Sequence, residues 1–249
     1  MYLCLWEVKH MIYVVGIGPG SEAMMTQAAK DAIQNSDVIV GYKTYIKLIE
    51  NLLTGAHEIV SNGMRGEVER CREAIRIART GKTVAVISSG DAGIYGMAGL
   101  VYELSEGQDD IQIIPGVTAS SASAAILGAP LMHDFCHISL SDLLTPIDTI
   151  MKRVRLAAEG DFVICFYNPK SHGRPTHIHD AIAAIRAIKG DHIVVGVVKD
   201  AGRDDESHYI FNIDSIDYDL IDMTSLVIVG NSNTKHEYHR MVTPRGYTL

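Results

Sequence analysis

The residues best placed for chemistry lie in Ser88-Ser89-Gly90-Asp91-Ala92-Gly93-Ile94-Tyr95-Gly96. This glycine-rich stretch follows the apolar, β-branched run Thr83-Val84-Ala85-Val86-Ile87 and precedes Met97–Leu104, which reads as a helix. In open α/β sheets, ligands bind where a strand ends and a helix begins. Gly90, Gly93 and Gly96 let backbone approach a ligand, and Asp91 adds one carboxylate. A tight turn with Asp91 as a helix N-cap is the plainer alternative. A second such turn, Gly16-Ile17-Gly18-Pro19-Gly20-Ser21, follows the strand Ile12–Val15. It has neither the spacing of GxGxxG nor the Lys-Ser/Thr of a phosphate loop. Asp37 lies about 20 residues further on, so a nicotinamide-dependent oxidoreductase is a reading to weigh; a strand-entry role for Asp37 is favoured.

No HExxH, no GxSxG and no metal spacing of His and Cys occurs, although the chain has 11 histidines. Glycine-rich and hydroxyl-rich strand ends with one acidic residue suit a zwitterionic, nucleotide-like ligand such as S-adenosylmethionine. Its sulfonium already activates the methyl group. Positioning and exclusion of water can then supply most of the rate. His133 and Asp134, in the titratable stretch Met132–Asp142, are candidate catalytic residues.

Around these residues the chain reads as alternating strands and helices. Helices are expected over Met24–Gln34, Tyr42–Leu53, Gly66–Arg79, Ile147–Ala158 and Thr176–Lys189. Strands are expected over Ser36–Val40, Glu58–Val60, Ile111–Ile114, Phe162–Tyr167, His192–Val198 and Leu226–Val229. The alternation predicts a mainly parallel sheet with helices on both faces. Ser207–Ile213 could return as an antiparallel partner. The small-residue run Ala119–Ala129 reads as a closely packed helix. The domain reading is an extension over 1–10, an N-terminal α/β domain over 11–115, a C-terminal α/β domain over 116–234 and a polar tail over 235–249. That tail is expected to extend from its domain or to dock on a partner subunit.

The 249 residues carry 22 Lys and Arg against 30 Asp and Glu, a formal charge of −8. That balance argues against a nucleic-acid surface and against anionic membranes. No apolar run approaches the length of a membrane span. The four cysteines, Cys4, Cys71, Cys136 and Cys165, form no CxxC pair and fit a reducing cytoplasm.

The ordered set Gly16-Ile17-Gly18-Pro19-Gly20, Gly90-Asp91-Ala92-Gly93-Ile94-Tyr95-Gly96 and Pro115-Gly116-Val117-Thr118-Ala119 resembles the tetrapyrrole methyltransferases. Leu127–Phe135, Ile138–Asp142, Tyr167-Asn168-Pro169, Gly202-Arg203, Gly230–Thr234 and Met241–Tyr247 look like the precorrin-3B C(17)-methyltransferase branch. The resemblance spans about residues 11–249. It implies two α/β domains with a ligand cleft between them, a homodimer, and S-adenosylmethionine as methyl donor with S-adenosylhomocysteine as product. Carried over by position, Pro19, Ser89, Gly90, Asp91, Ile94, Thr118 and Ala119 bind the cofactor. Asn168, Ala201, Thr224 and Ser225 complete its pocket. The family's usual proline after Gly-Asp is Ala92 here. The implied reaction methylates carbon 17 of a metal-free or cobalt-loaded corrin precursor and contracts the ring. His133, Asp134 or Arg174 would handle the macrocycle or its carboxylates, since the planar guanidinium bonds carboxylates in pairs. Methylation at another ring position and a non-catalytic tetrapyrrole-binding module are the remaining alternatives.

Overall fold

A computed structural model describes residues 11–63 and 66–248. The expected extension over 1–10 lies outside the described residues. The chain divides into two compact units, one through Thr118 and one from Ala119 onward.

The first unit is built on five parallel strands: β1 (Met11–Gly16), β2 (Val38–Tyr42), β3 (Glu58–Asn62), β4 (Val84–Ser88) and β5 (Asp110–Ile114). Their order in the sheet is β3-β2-β4-β1-β5. Between them run α1 (Gln27–Gln34), α2 (Lys43–Lys47), α3 (Glu67–Ala78) and α4 (Ala98–Ser105). The central strands are apolar throughout because both faces are covered. On one face Ile12, Val14, Val38, Val40, Val84 and Val86 pack on Cys71, Ala74, Ala78 and Val101 of α3 and α4. On the other, Val15, Ile39, Ala85 and Ile87 pack on Ala29, Ile33 and Ile46 of α1 and α2.

Two expected helices are shorter than the apolar spacing suggests. α1 starts at Gln27 because the Thr26 hydroxyl accepts the Ala29 N–H at 3.1 Å, a side-chain cap, while Glu22–Met24 form a separate 3-10 turn. The stretch from Tyr42 to Leu53 divides into α2 and a 3-10 turn at Glu50–Leu52. Thr44, Tyr45, Ile46 and Ile49 are β-branched or aromatic, which weakens a continuous helix there.

The second unit contains α5 (Ala119–Leu127), β6 (Gly128–Ala129), β7 (Phe135–Ser139), α6 (Ile147–Glu159), β8 (Val163–Tyr167), α7 (His177–Lys189), β9 (Val194–Lys199), β10 (Ser207–Asn212), β11 (Ser225–Val229), β12 (Lys235–Glu237) and β13 (Arg240–Val242). Its main sheet has the order β10-β9-β11-β8-β7. Only β7 and β8 run parallel; β11 is antiparallel to both β8 and β9, and β10 is antiparallel to β9. The mainly parallel expectation therefore holds for the first sheet and fails for the second. The return of Ser207–Asn212 beside β9 is as expected. Helices α6 and α7 cover one face of this sheet through Ile150, Val154, Ile178, Ile182 and Ile185. α5 packs on the other face against β9, β10 and β11. Gly196 of β9 permits that approach, because a Cβ there would stand 2.4 Å from the Leu127 side chain.

The stretch read as a polar tail folds back on its own unit. β12 and β13 form a hairpin, and β13 pairs in parallel with β6. Met241 is fully buried, and the Thr234 and Thr243 hydroxyls bond at 2.8 Å.

Candidate functional site

In the first unit the carboxyl ends of β1, β4 and β5 are drawn together by close backbone approach. The Ile17 N–H donates to the Ser88 carbonyl at 2.9 Å. Gly18 and Gly90 exchange a pair of hydrogen bonds, at 3.0 and 2.7 Å. A Cβ on Gly116 would lie 2.2 Å from the Gly90 carbonyl, and one on Gly16 would lie 2.7 Å from the Gly116 nitrogen. Only glycine fits these positions, since three backbones meet where any side chain would stand. Gly18 and Gly90 also adopt positive φ, 75° and 68°.

Asp91 fastens the joint. One carboxylate oxygen accepts the Gly93 N–H at 2.8 Å and the other accepts the Gly116 N–H at 3.0 Å. It is not a helix N-cap: α4 begins later, at Ala98, behind Met97. The intervening turn closes through the Ala98 N–H on the Ala92 carbonyl at 3.0 Å, with Ala92 fully buried. Gly96 is required there, because a Cβ would meet that carbonyl at 2.5 Å. Tyr95 projects from the turn, 53% exposed and at φ 53°, an uncommon conformation for a bulky residue. The structure thus brings Pro19, Ser89, Gly90, Asp91 and Ile94 onto two neighbouring turns, with Thr118 following the third strand end. Pro19 is buried; Ser89, Asp91, Ile94 and Thr118 are half-buried.

Asp37 is at the opposite end of this sheet. Its carboxylate accepts the Thr83 N–H at 2.8 Å, where β2 and β4 start. An acidic residue that binds a dinucleotide ribose stands at the carboxyl edge. The strand-entry role is the one observed, and the nicotinamide reading loses its acidic residue.

In the second unit the antiparallel β11 decides which residues meet. Its first residues lie beside the last residues of β8 and β9, so Asn168, Ala201, Thr224 and Ser225 collect at one end of the sheet. Asp222 organises that end. It accepts the Thr224 N–H and hydroxyl, both at 2.9 Å, and the Ser225 hydroxyl at 3.1 Å, and pairs with Lys199 at 2.7 Å. Burial raises the Asp222 pKa, but Lys199 and these donors outweigh it and hold the carboxyl below its ordinary range. Asn168 stands at φ 51°, and its amide donates to the Ser139 hydroxyl at 3.0 Å. Arg174 belongs to the same end. Its guanidinium donates to the carbonyls of Leu140 and Asn168 at 2.9 and 3.3 Å and lies 3.7 Å from Asp142. Its fork is spent on loop backbone.

His133 and Asp134 are not brought to this end. The Asp134 carbonyl accepts the Val163 N–H at 3.0 Å, at the start of β8. The length of β7, roughly 16 Å at about 3.3 Å per residue, separates them from Arg174. Both side chains are exposed. His133 lines a surface depression of about 310 Å³ with Ser232, Asn233, Lys235 and Arg245.

The sequence does not single out Ser120 or His137, and Tyr167 enters only through the motif Tyr167-Asn168-Pro169. The His137 Nε2 lies 2.8 Å from the Ser120 hydroxyl, and the Ser120 N–H donates to the Tyr167 hydroxyl at 3.1 Å. The signal was available in the period-2 alternation. Ile138 and Leu140 point into the core, so Phe135, His137 and Ser139 must share the other face.

The model of the family described as Tetrapyrrole (Corrin/Porphyrin) Methylases matches residues 11–217. The chain belongs to the tetrapyrrole methylases. Among relatives of this methylase, a Salmonella typhimurium protein named "Probable cobalt-factor III C(17)-methyltransferase" is 54% identical over 96% of this chain and 100% of its own length. A Sinorhizobium protein named precorrin-3B C(17)-methyltransferase is 38% identical over 90% of each chain. The crystal structure of the methyltransferase CobJ superposes with a TM-score of 0.91 at 33% identity, covering 95% of this methylase and 100% of that chain. The glycine joint of the first unit falls within the matched segment, as do the strand ends around Asn168 and Ala201.

Proposed function

We propose that this methylase transfers a methyl group from S-adenosylmethionine to carbon 17 of a corrin precursor, with contraction of the ring, in cobalamin biosynthesis. The observation that carries the reading is the 54% identity, along its full length, to the relative named for that reaction. The closer likeness to a relative named for cobalt-factor III than to one named for precorrin-3B favours the cobalt-loaded substrate.

The residues of the first unit fit such a donor. Its sulfonium supplies an electrophilic methyl, so the protein's task is to hold, orient and exclude water. The Gly18–Gly90 bonds and the two Asp91 bonds set the three loops in place before binding, so little ordering remains when the ligand arrives. Ser89 and Thr118 offer hydroxyls, Ile94 an apolar contact, and Pro19 stiffens the first loop. Ala119, Asn168 and Ala201 are further cofactor contacts in this reading. Thr224 and Ser225 serve through their backbone, because Asp222 engages their hydroxyls. Arg174 acts as a positioning residue for the Leu140 and Asn168 loops. The active form is a cytoplasmic homodimer.

Calorimetric titration tests the cofactor assignment. Saturable binding of S-adenosylhomocysteine with no binding of NADH is the expected result. NADH binding alone, or binding of neither, contradicts the reading.

A further inference from the structure

The second unit carries a basic depression that the methyl-transfer reading leaves unused. It has a volume of about 310 Å³, at the small end of ligand sites, and is lined by His133, Ser232, Asn233, Lys235 and Arg245 among others. The lining holds one lysine, one arginine and one histidine but no carboxylate, in a chain where Asp and Glu outnumber Lys and Arg 30 to 22. It lies where β8 and β9 start and β11 ends. There the Val163 N–H donates to the Asp134 carbonyl at 3.0 Å and the Gly230 N–H to the Val194 carbonyl at 2.8 Å. Asn168, Ala201 and Thr224 stand at the other end of the same sheet. Three segments that the sequence singles out, 127–135, 230–234 and 241–247, meet at this depression.

The turn on its rim is firmly held, whereas surface turns are ordinarily the mobile parts of a fold. Asn231 is 3% exposed, and its side-chain carbonyl accepts the Asn233 N–H at 3.0 Å and the Thr234 hydroxyl at 3.1 Å. The Thr234 hydroxyl in turn accepts the Asn231 N–H at 2.9 Å and meets the buried Thr243 hydroxyl. A further support is Lys189, whose side chain is 4% exposed and donates to the Phe162 and Gly230 carbonyls at 2.9 and 3.3 Å. Asp161, paired with Lys189, accepts both the Ser232 N–H and its hydroxyl. A satisfied network of buried polar groups rigidifies what it carries.

The cations on the lining are positioned without being used up. One of the five Arg245 N–H groups donates to the Met132 carbonyl at 3.2 Å, which seats the guanidinium against the segment that bears His133. Lys235 lies 3.5 Å from Glu237, with both side chains more than half exposed, a pair that solvent screens and a bound anion can displace. The His133 Nδ1 accepts the Asp134 N–H at 3.0 Å, so Nε2 carries the ring proton and is a donor. A guanidinium fork takes two oxygens of a carboxylate or a phosphate, and an ammonium adds a point charge. We propose that this depression binds the oxyanion group of a small molecule, a carboxylate or a phosphate, through Arg245, Lys235 and His133 on the rigid 231–234 turn. The proposal stands apart from the methyl-transfer reading, and no turnover enters its test.

The test is calorimetric titration of the full chain with orthophosphate, pyrophosphate and citrate at fixed ionic strength and pH, on wild type, Arg245→Gln, Lys235→Gln and Lys152→Gln. Lys152 is exposed on α6 and is not part of the lining. Saturable binding with a Kd of about 1 mM or tighter is expected from at least one anion, weakening as salt is raised. Arg245→Gln should weaken it at least about tenfold and Lys235→Gln several-fold, while Lys152→Gln leaves it unchanged. Circular dichroism and thermal melts establish that each variant is folded, and Lys235→Gln decides alone should Arg245→Gln not fold. Tighter binding of pyrophosphate marks a phosphate ligand and tighter binding of citrate a carboxylate one; either supports the site. No saturable binding of any of the three, or binding that Arg245→Gln and Lys235→Gln leave unchanged, overturns it. An equal loss in Lys152→Gln would also overturn it, since the attraction would then belong to the surface at large.

Discussion

Asp91 shows how one side chain replaces a larger constellation. Its two oxygens each hold one backbone N–H, one from its own turn and one from the turn after β5. Charge-assisted bonds of this kind are stronger than neutral ones. Asp91→Ala leaves both N–H groups without that partner. The expected loss is roughly 1–3 kcal/mol of stability. S-adenosylhomocysteine binding should weaken about tenfold or more, the equivalent of about 1.4 kcal/mol per decade. Thermal melts and calorimetry on the same sample check both numbers. The composition of the turn was legible in the sequence, and so was its place after a strand. The partner of the carboxylate was not, because Gly116 lies 25 residues away and nothing in a glycine marks it as a donor to Asp91. The same holds for Asp222, whose role appears only once β11 has placed Thr224 and Ser225 beside Lys199.

At the scale of elements, the parallel sheet was readable from its apolar, β-branched runs. A strand buried on both faces, such as Val84–Ser88, leaves few other solutions. Strand direction in the second sheet was not readable, because periodicity reports which face is buried and is blind to polarity. β12 and β13 escaped for another reason: strands of three residues are too short to carry a period. The second sheet is also tied by ions. Asp161, before β8, accepts the Ser232 N–H and hydroxyl at 2.9 and 2.6 Å, and lies 3.1 Å from Lys189. Burial raises the Asp161 pKa, but these donors outweigh it, and its folded value lies below the ordinary 3.8. A carboxylate depressed in the fold stabilises it above the unfolded pKa. That contribution is lost as pH falls through the folded value. Melting temperature should therefore drop more steeply for wild type than for Asp161→Asn between about pH 5 and 3. Parallel curves would remove Asp161 from the acid response.

For the whole molecule, the two units differ in construction: the sheet of the first is wholly parallel and the main sheet of the second is mixed. Among the described residues no helix is long and apolar enough to cross a membrane. What was legible at this scale came from three glycine motifs in order. What was not legible was which titratable groups the fold would gather. His133 and Asp134 stand out in sequence but lie a strand's length from Arg174, whereas His137 is set quietly in an alternating strand. The most direct measurement of the central claim is an anaerobic incubation with S-adenosylmethionine carrying a ¹³C methyl group and either cobalt-factor III or precorrin-3B. The expected result is one ¹³C methyl at carbon 17 of a ring-contracted product, formed faster from the cobalt-loaded substrate. A label at another ring carbon, or no transfer from either substrate, would contradict it.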